Sequence, residues 1–382
     1  MPITFTLIIS FFILLSMHTG RVFITLYALQ LGAQPFTVGV LASVFSVLPT
    51  LLSWPVGRFS DRFGSRWPLL LAAAAGALGM LFSYAVPGLP ALFVTSVLYG
   101  SLTALSASPL QNLVGLLSGP ENSARNFSNL SLVFSFTGFA GPLLAGFSFD
   151  HAGPEGACLS LALLLLAPTA ALAIFGGILP TGTRTEKPTG SVRELLSESG
   201  LWRVLVTSGL VIMGLELFQI YIPIYGHEIG LSASAIGIIL AMYSVAAFFV
   251  RFFLPKLIKR LTMERALAYS FLIGALGFLL VPLFQSIWIL CLVSLLFGLG
   301  MGCGQPITLM MTYSHSSQGR SGEAMGLRLT ANHLTRVIGQ TLFGFIGSAF
   351  GIFAVFLLNA LLMASGWAAS HPRPFGRRTK DS

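Results

Sequence analysis

Apolar residues run along this chain in long unbroken blocks, not in the short periodic stripes of a soluble helix or strand. A bilayer core about 30 Å thick takes roughly 20 apolar residues per helical crossing. Twelve stretches of that kind can be marked: 5–30, 36–57, 67–86, 90–115, 125–149, 156–179, 201–226, 234–255, 265–284, 286–312, 322–350 and 350–370. The pattern predicts an all-α membrane protein with twelve transmembrane helices. The first stretch has no basic segment before it and is too long for the apolar part of a cleavable leader, so it counts as a span. An even number of crossings puts both termini on one side. The longest polar stretch, 180–200, divides the spans six and six. The expected layout is a six-helix bundle over 1–179, a linker over 180–200, a second bundle over 201–370 and a tail over 371–382.

Composition agrees with that reading. Hydrophobic residues make up 55% of the 382 and charged ones 9%, against about 25% charged in a soluble domain. A soluble globule is excluded, and so is disorder, which requires low hydrophobicity. The net charge of +9 would suit nucleic acid only if it formed one basic face. Instead 18 of the 21 Lys and Arg fall in the tail or in loops and helix ends on one side of the spans, and the six loops on the other side carry none. This asymmetry predicts cytoplasmic termini and linker in a plasma membrane, such as a bacterial inner membrane, and no nucleic-acid partner. Cys158, Cys291 and Cys303 all lie in apolar stretches without paired spacing and read as small buried residues.

The halves are copies of one another. Shifted by 198 residues, Gly32, Gly39, Gly76, Gly79, Gly100, Gly141, Gly146 and Gly153 all fall on glycines, where chance gives about two matches at this glycine content; Gly76–Gly79 (GALG) recurs unchanged at Gly274–Gly277. Parallel repeats of this kind place a binding site between the halves near the midplane.

Between the second and third spans stands Gly57-Arg58-Phe59-Ser60-Asp61-Arg62-Phe63-Gly64-Ser65-Arg66. This resembles the loop signature G-x-L-A-D-R-x-G-R-R of the major facilitator superfamily, matching at Gly57, Asp61, Arg62, Gly64 and Arg66. With the duplication, the resemblance covers essentially the whole chain. It implies two parallel-repeat bundles, a secondary transporter of a drug- or metabolite-efflux-like subgroup, and a cytoplasmic gate in which Asp61 docks at Ser321-Gly322-Glu323. The physical basis is that a helix N-terminus attracts an acid, while glycines allow a tight turn. The second copy carries Lys259 where the first has Asp61, so any such latch is one-sided. The fifth span, Gly138 to Gly146, is similar to the Gly-Pro motif of antiporters. The fourth has Ser96 where drug–proton antiporters carry an arginine.

Ionisable residues inside spans are few: Arg21, Arg251, Arg336, Glu216, His18 and His333. Each charge at mid-bilayer costs about 2.5–3.5 kcal/mol, which points to an inward face and a function. His18 and Arg21 share a face of the first helix, and the 198 shift carries them onto Glu216 and Gln219 of the seventh. The expected substrate and coupling cavity is His18, Arg21, Glu216, Gln219, Tyr221, His333 and Arg336. Glu216 is either a proton-coupling carboxylate or a permanent partner of Arg21 or Arg336. The excess of basic groups favours an anionic small molecule as substrate, with protons as a candidate co-substrate. Arg251 reads as a snorkelling or gating residue, and Arg328 is counted with the orienting loop charges although Arg328, Asn332 and Arg336 recur every four residues.

No HExxH, paired aspartates or GxxxxGK[ST] is present, so neither an intramembrane hydrolase nor an ATP-driven pump is expected. No cofactor or metal is called for, and the chain reads as a monomer that is not an enzyme. A membrane sensor or an uncoupled uniporter are the remaining alternatives. The substrate has no signature of its own.

Overall fold

A computed structural model describes residues 2–118, 122–180, 199–315 and 321–370. Among the described residues twelve α-helices follow in order: α1 Pro2–Gln30, α2 Pro35–Phe63, α3 Arg66–Ala85, α4 Leu89–Leu116, α5 Ser123–Phe175, α6 Ser199–Glu228, α7 Ala233–Arg260, α8 Met263–Leu280, α9 Ile287–Met301, α10 Gly304–Ser314, α11 Ser321–Phe350 and α12 Ile352–Ser370. They do not map one to one onto the predicted spans. α5 has 53 residues and bends at Gly153, where φ is 67°. Unbent it would reach about 80 Å at 1.5 Å per residue, far more than one bilayer, so its limbs are the fifth and sixth crossings. Conversely, α9 and α10 break at Gly302 and Cys303 and together make one 28-residue crossing, Ile287–Ser314.

Among the described residues, ten stretches are long and apolar enough to cross a membrane, the bent one counting as a single stretch of 54 residues. α11 is not among them, because Arg328, Asn332, His333, Arg336 and Gln340 dilute its apolar content. Taking α5 as two crossings and adding α11 restores twelve. α3 and α12 turn apolar side chains outward, among them Leu71, Leu78, Phe353 and Leu361, as helices against lipid should. Most of the linker and the whole tail lie outside the described residues.

Alternating helix directions put the turns near Gly32, Gly88, Gly153, Gly230 and Gly351 at the end of the molecule away from the termini, called here the far end. All five of those glycines have positive φ, the left-handed backbone that glycine adopts without a Cβ penalty. Two pairs are related by the 198-residue shift: Gly32 and Gly230 at 79° and 76°, Gly153 and Gly351 at 67° and 81°. The repeat seen in the sequence is thus a repeat of backbone conformation.

The halves meet along two equivalent seams, α2 against α11 and α5 against α7. A Cβ on Gly39 would lie 2.5 Å from the Gln340 carbonyl oxygen and 2.9 Å from Gly344 Cα; one on Gly237 would lie 2.5 Å from the Pro142 carbonyl oxygen and 3.5 Å from Gly146 Cα. These residues are also 198 apart, so each half offers a glycine to the other. Nearer the far end, the Asp150 carboxylate accepts the free Ala233 and Ser234 N–H groups of α7 (3.1 and 2.7 Å), and Ser348 Oγ accepts Phe36 N–H of α2 (2.8 Å). Each half therefore caps a helix N-terminus of the other, satisfying donors that the helix cannot. The far end is closed by these contacts.

Candidate functional site

Beneath the closed far end lies a cavity of about 240 Å³ between the halves. α1 contributes Met17, His18 and Arg21; α6 contributes Leu215, Glu216 and Gln219; α11 contributes His333 and Arg336. Six of the seven cavity residues expected from the sequence are brought together here.

Glu216 is the centre of the arrangement. Its side chain is 7% exposed, and each carboxylate oxygen has a basic partner. Arg21 Nη2 donates to Oε2 across the boundary between the halves, and Arg336 Nε donates to Oε1 at 3.0 Å from within the second half. A buried carboxylate without partners would be prohibitively costly, and two guanidinium groups offset that cost. Gln340 Nε2 adds a third donor to Oε2 at 3.2 Å. Arg336 Nη1 also donates to His333 Nδ1 at 3.2 Å, whereas His18 Nδ1 donates to the Leu14 carbonyl at 2.9 Å and its ring meets Phe134 edge-on. His18 fits only because Gly141 faces it: a Cβ there would come within 2.5 Å of His18 Cβ.

The seventh expected residue, Tyr221, does not line the cavity. Five residues beyond Glu216 it points about 140° away around α6, whereas Gln219 is only about 60° away. Tyr221 packs edge-on against Phe356 of α12, and its hydroxyl is buried without a hydrogen-bond partner.

Two basic residues also bear on expectation: Arg251 sets aside snorkelling and leaves its gating alternative open, and Arg328 departs outright. Arg251 lines the cavity wall and donates to the Gly302 carbonyl at 2.9 Å, so it is held inside instead of reaching for the membrane edge. Arg328 is not an orienting loop charge: it is 8% exposed, its Nη1 lies 3.3 Å from Ser208 Oγ, and Ser208 in turn donates to Asn332 Oδ1 at 3.0 Å. Its place in the every-fourth-residue stripe on α11 was the better guide. Gln340, which the sequence reading missed, is the next member of that stripe, four residues beyond Arg336. Ser96 lies in a small pocket beside Arg21 and Gln219, fully buried, its hydroxyl without a partner.

In the motif loop, Gly64 takes φ 85° and ends α2, while Gly57 is an ordinary helical residue inside it. Only one of the two glycines serves the turn. Arg66 donates to the Ala173 carbonyl at 2.8 Å, closing the last turn of α5, and passes over Gly176, where a Cβ would lie 2.7 Å from its Nε. The side chains of Asp61 and Arg62, and those of the Ser321–Glu323 stretch, lie outside the described residues, and with them the expected latch.

Duplicated all-helical halves around a charged midplane cavity define an integral multi-pass membrane protein of the carrier class. A family model described as Major Facilitator Superfamily matches residues 6–285 and, separately, 204–381, the second match starting 198 residues after the first (204 − 6). The chain belongs to the major facilitator superfamily and is a secondary transporter. It is 27% identical over 341 residues to the tetracycline resistance protein, class E, of Escherichia coli, covering 81% of this chain and 78% of that one. It is 28% identical over 363 residues to solute carrier family 22 member 18 of Rattus norvegicus, covering 88% and 86%. A solved POT family transporter in complex with a thioalcohol-conjugated peptide superposes with a TM-score of 0.80 at 14% identity, over 96% of this chain and 94% of that one. That last likeness is one of fold.

Proposed function

We propose that this transporter exports a small organic solute bearing a negative charge, driven by exchange for protons through Glu216, from a bacterial inner membrane in which both termini are cytoplasmic. Its working units are the bundles 1–179 and 201–370, and a single chain suffices. The observation that carries this reading is the charge balance of the cavity: Arg21, Arg251 and Arg336 face one acid, Glu216. Desolvated arginines bind carboxylates in paired, directional hydrogen bonds, so an anionic group is the chemistry that this surplus suits. The outward direction follows the relative named for tetracycline resistance. A carboxylate between the halves serves coupling, because protonation releases Arg21 and weakens the one ionic tie that crosses the boundary among the described residues.

A second reading has its own support. Both Glu216 oxygens are occupied by basic groups, as a permanent ion pair in an uncoupled uniporter requires. Proteoliposome flux separates the two. A thermal-shift screen of organic anions first supplies a substrate. Proton-coupled export predicts that Glu216→Gln abolishes accumulation driven by a pH gradient and retains counterflow exchange. Gradient-driven accumulation that persists at the parent level in Glu216→Gln means that Glu216 is not the coupling acid, whereas a parent protein that shows no such accumulation is the uniporter.

A further inference from the structure

The two seams are equivalent in backbone and unequal in chemistry. At the 198-related positions, the α2–α11 seam has Gln340 where the α5–α7 seam has Pro142, Thr341 where it has Leu143, and Ser43 where it has Ala241. Pro and Leu offer no side-chain hydrogen bond. Thr341 and Ser43 bond to each other at 2.7 Å, and Ser43 Oγ also reaches the Val337 carbonyl at 3.1 Å.

Gln340 is the point where this polar seam touches the charged cavity. It is 1% exposed. Its amide nitrogen donates to Glu216 Oε2 (3.2 Å), and its amide oxygen accepts from Ser46 Oγ of α2 (3.3 Å). Its own carbonyl is the atom on which Gly39 of α2 rests. One side chain thus spans from the acid of α6 to the opposite half, at the level where the seam closes. The amide can satisfy both neighbours only in one orientation, nitrogen toward the carboxylate and oxygen toward the hydroxyl.

From this we infer that Gln340 is a positioning residue that transmits the charge state of Glu216 to the α2–α11 seam, so that loss of the carboxylate charge loosens far-end closure on that side. Ionised Glu216 fixes the amide with its oxygen toward Ser46. A neutral side chain at 216 accepts more weakly, frees the amide to turn, and removes the acceptor that Ser46 has in the opposite half, leaving it only the Ala42 carbonyl of its own helix at 3.2 Å. The α5–α7 seam, with Pro142 in this place, has no such link to Glu216; there Ser244, the equivalent of Ser46, donates to the Gly138 carbonyl at 2.8 Å. The inference rests on the proposed coupling role of Glu216.

The test needs no substrate. Spin labels at Leu31→Cys and Phe350→Cys, on far-end turns of the two halves, report far-end opening as a distance distribution; the three native cysteines are buried. In the parent, Glu216→Gln is expected to raise the far-end-open population by about threefold or more, the range of coupling between hydrogen-bonded neighbours. In a Gln340→Met background the same change is expected to have almost no effect. Ser46→Ala, a smaller change that cuts only the α2 side of the link, is expected to abolish the response equally. An undiminished response in both backgrounds overturns the role of Gln340 and leaves the role of Glu216 standing. No response to Glu216→Gln in the parent overturns both.

Discussion

At the scale of single residues, the molecule separates polar groups that share a helix by a few degrees of rotation. Glu216 and Tyr221 lie little more than one turn apart on α6, yet one faces two arginines and the other an aromatic ring of α12. The Tyr221 hydroxyl is buried with no partner, and such a group costs about 1–3 kcal/mol. Tyr221→Phe is therefore expected to leave transport at the parent level and raise the unfolding midpoint by about 2 °C in a thermal melt. A fall in flux would restore Tyr221 to the substrate path. Glu216 was legible in the sequence because an acid in an apolar run is too costly to sit there without a basic partner or a task. Gln340 was not, because a neutral amide in a helix has many uses; only its register with Arg336 pointed to it.

Between elements, closeness is set by glycine and direction by helix ends. Gly39 and Gly237 hold the seams together by having no Cβ, and the atoms opposite are carbonyl oxygens that cannot rotate away. Gly39→Ala and Gly237→Ala are each expected to shift the population toward an open far end, by amounts agreeing within about twofold, since in each the added Cβ meets a backbone carbonyl oxygen at 2.5 Å. Labelling a far-end cysteine such as Leu31→Cys with an impermeant thiol reagent measures this; an effect of Gly39→Ala alone would refute the equivalence. The shared register of the glycines was visible in the sequence. That Gly39 meets Gln340, and Gly237 meets Pro142, was not, because register within a half says nothing about which helices of the other half it meets. The same limit applies to α9 and α10, where one predicted span is broken at Gly302 and Cys303.

For the whole molecule, the asymmetric loop charges make a topological prediction. A cysteine at exposed Lys259, in the last turn of α7, is expected to react with membrane-impermeant reagent only in inverted vesicles, and one at Leu31 only in intact cells; the reverse would overturn the assigned orientation. The expected latch belongs to this scale too. Asp61→Asn should raise far-end closure at the expense of the outward-open state, read by the same labelling; unchanged labelling would remove Asp61 from the gate.

By itself the sequence determined the solvent, the number of crossings, the duplication and the family, because each depends on composition or on spacing along the chain. It also named most of the charged residues that must face inward, since the bilayer penalises any other place for them. Only the tertiary structure decided that Arg21 reaches Glu216 from the opposite half, that Arg328 is buried, that Tyr221 turns away, and that Gln340 joins the acid to one seam only. Those outcomes depend on how helices rotate against one another, and no periodicity within a single helix fixes that rotation.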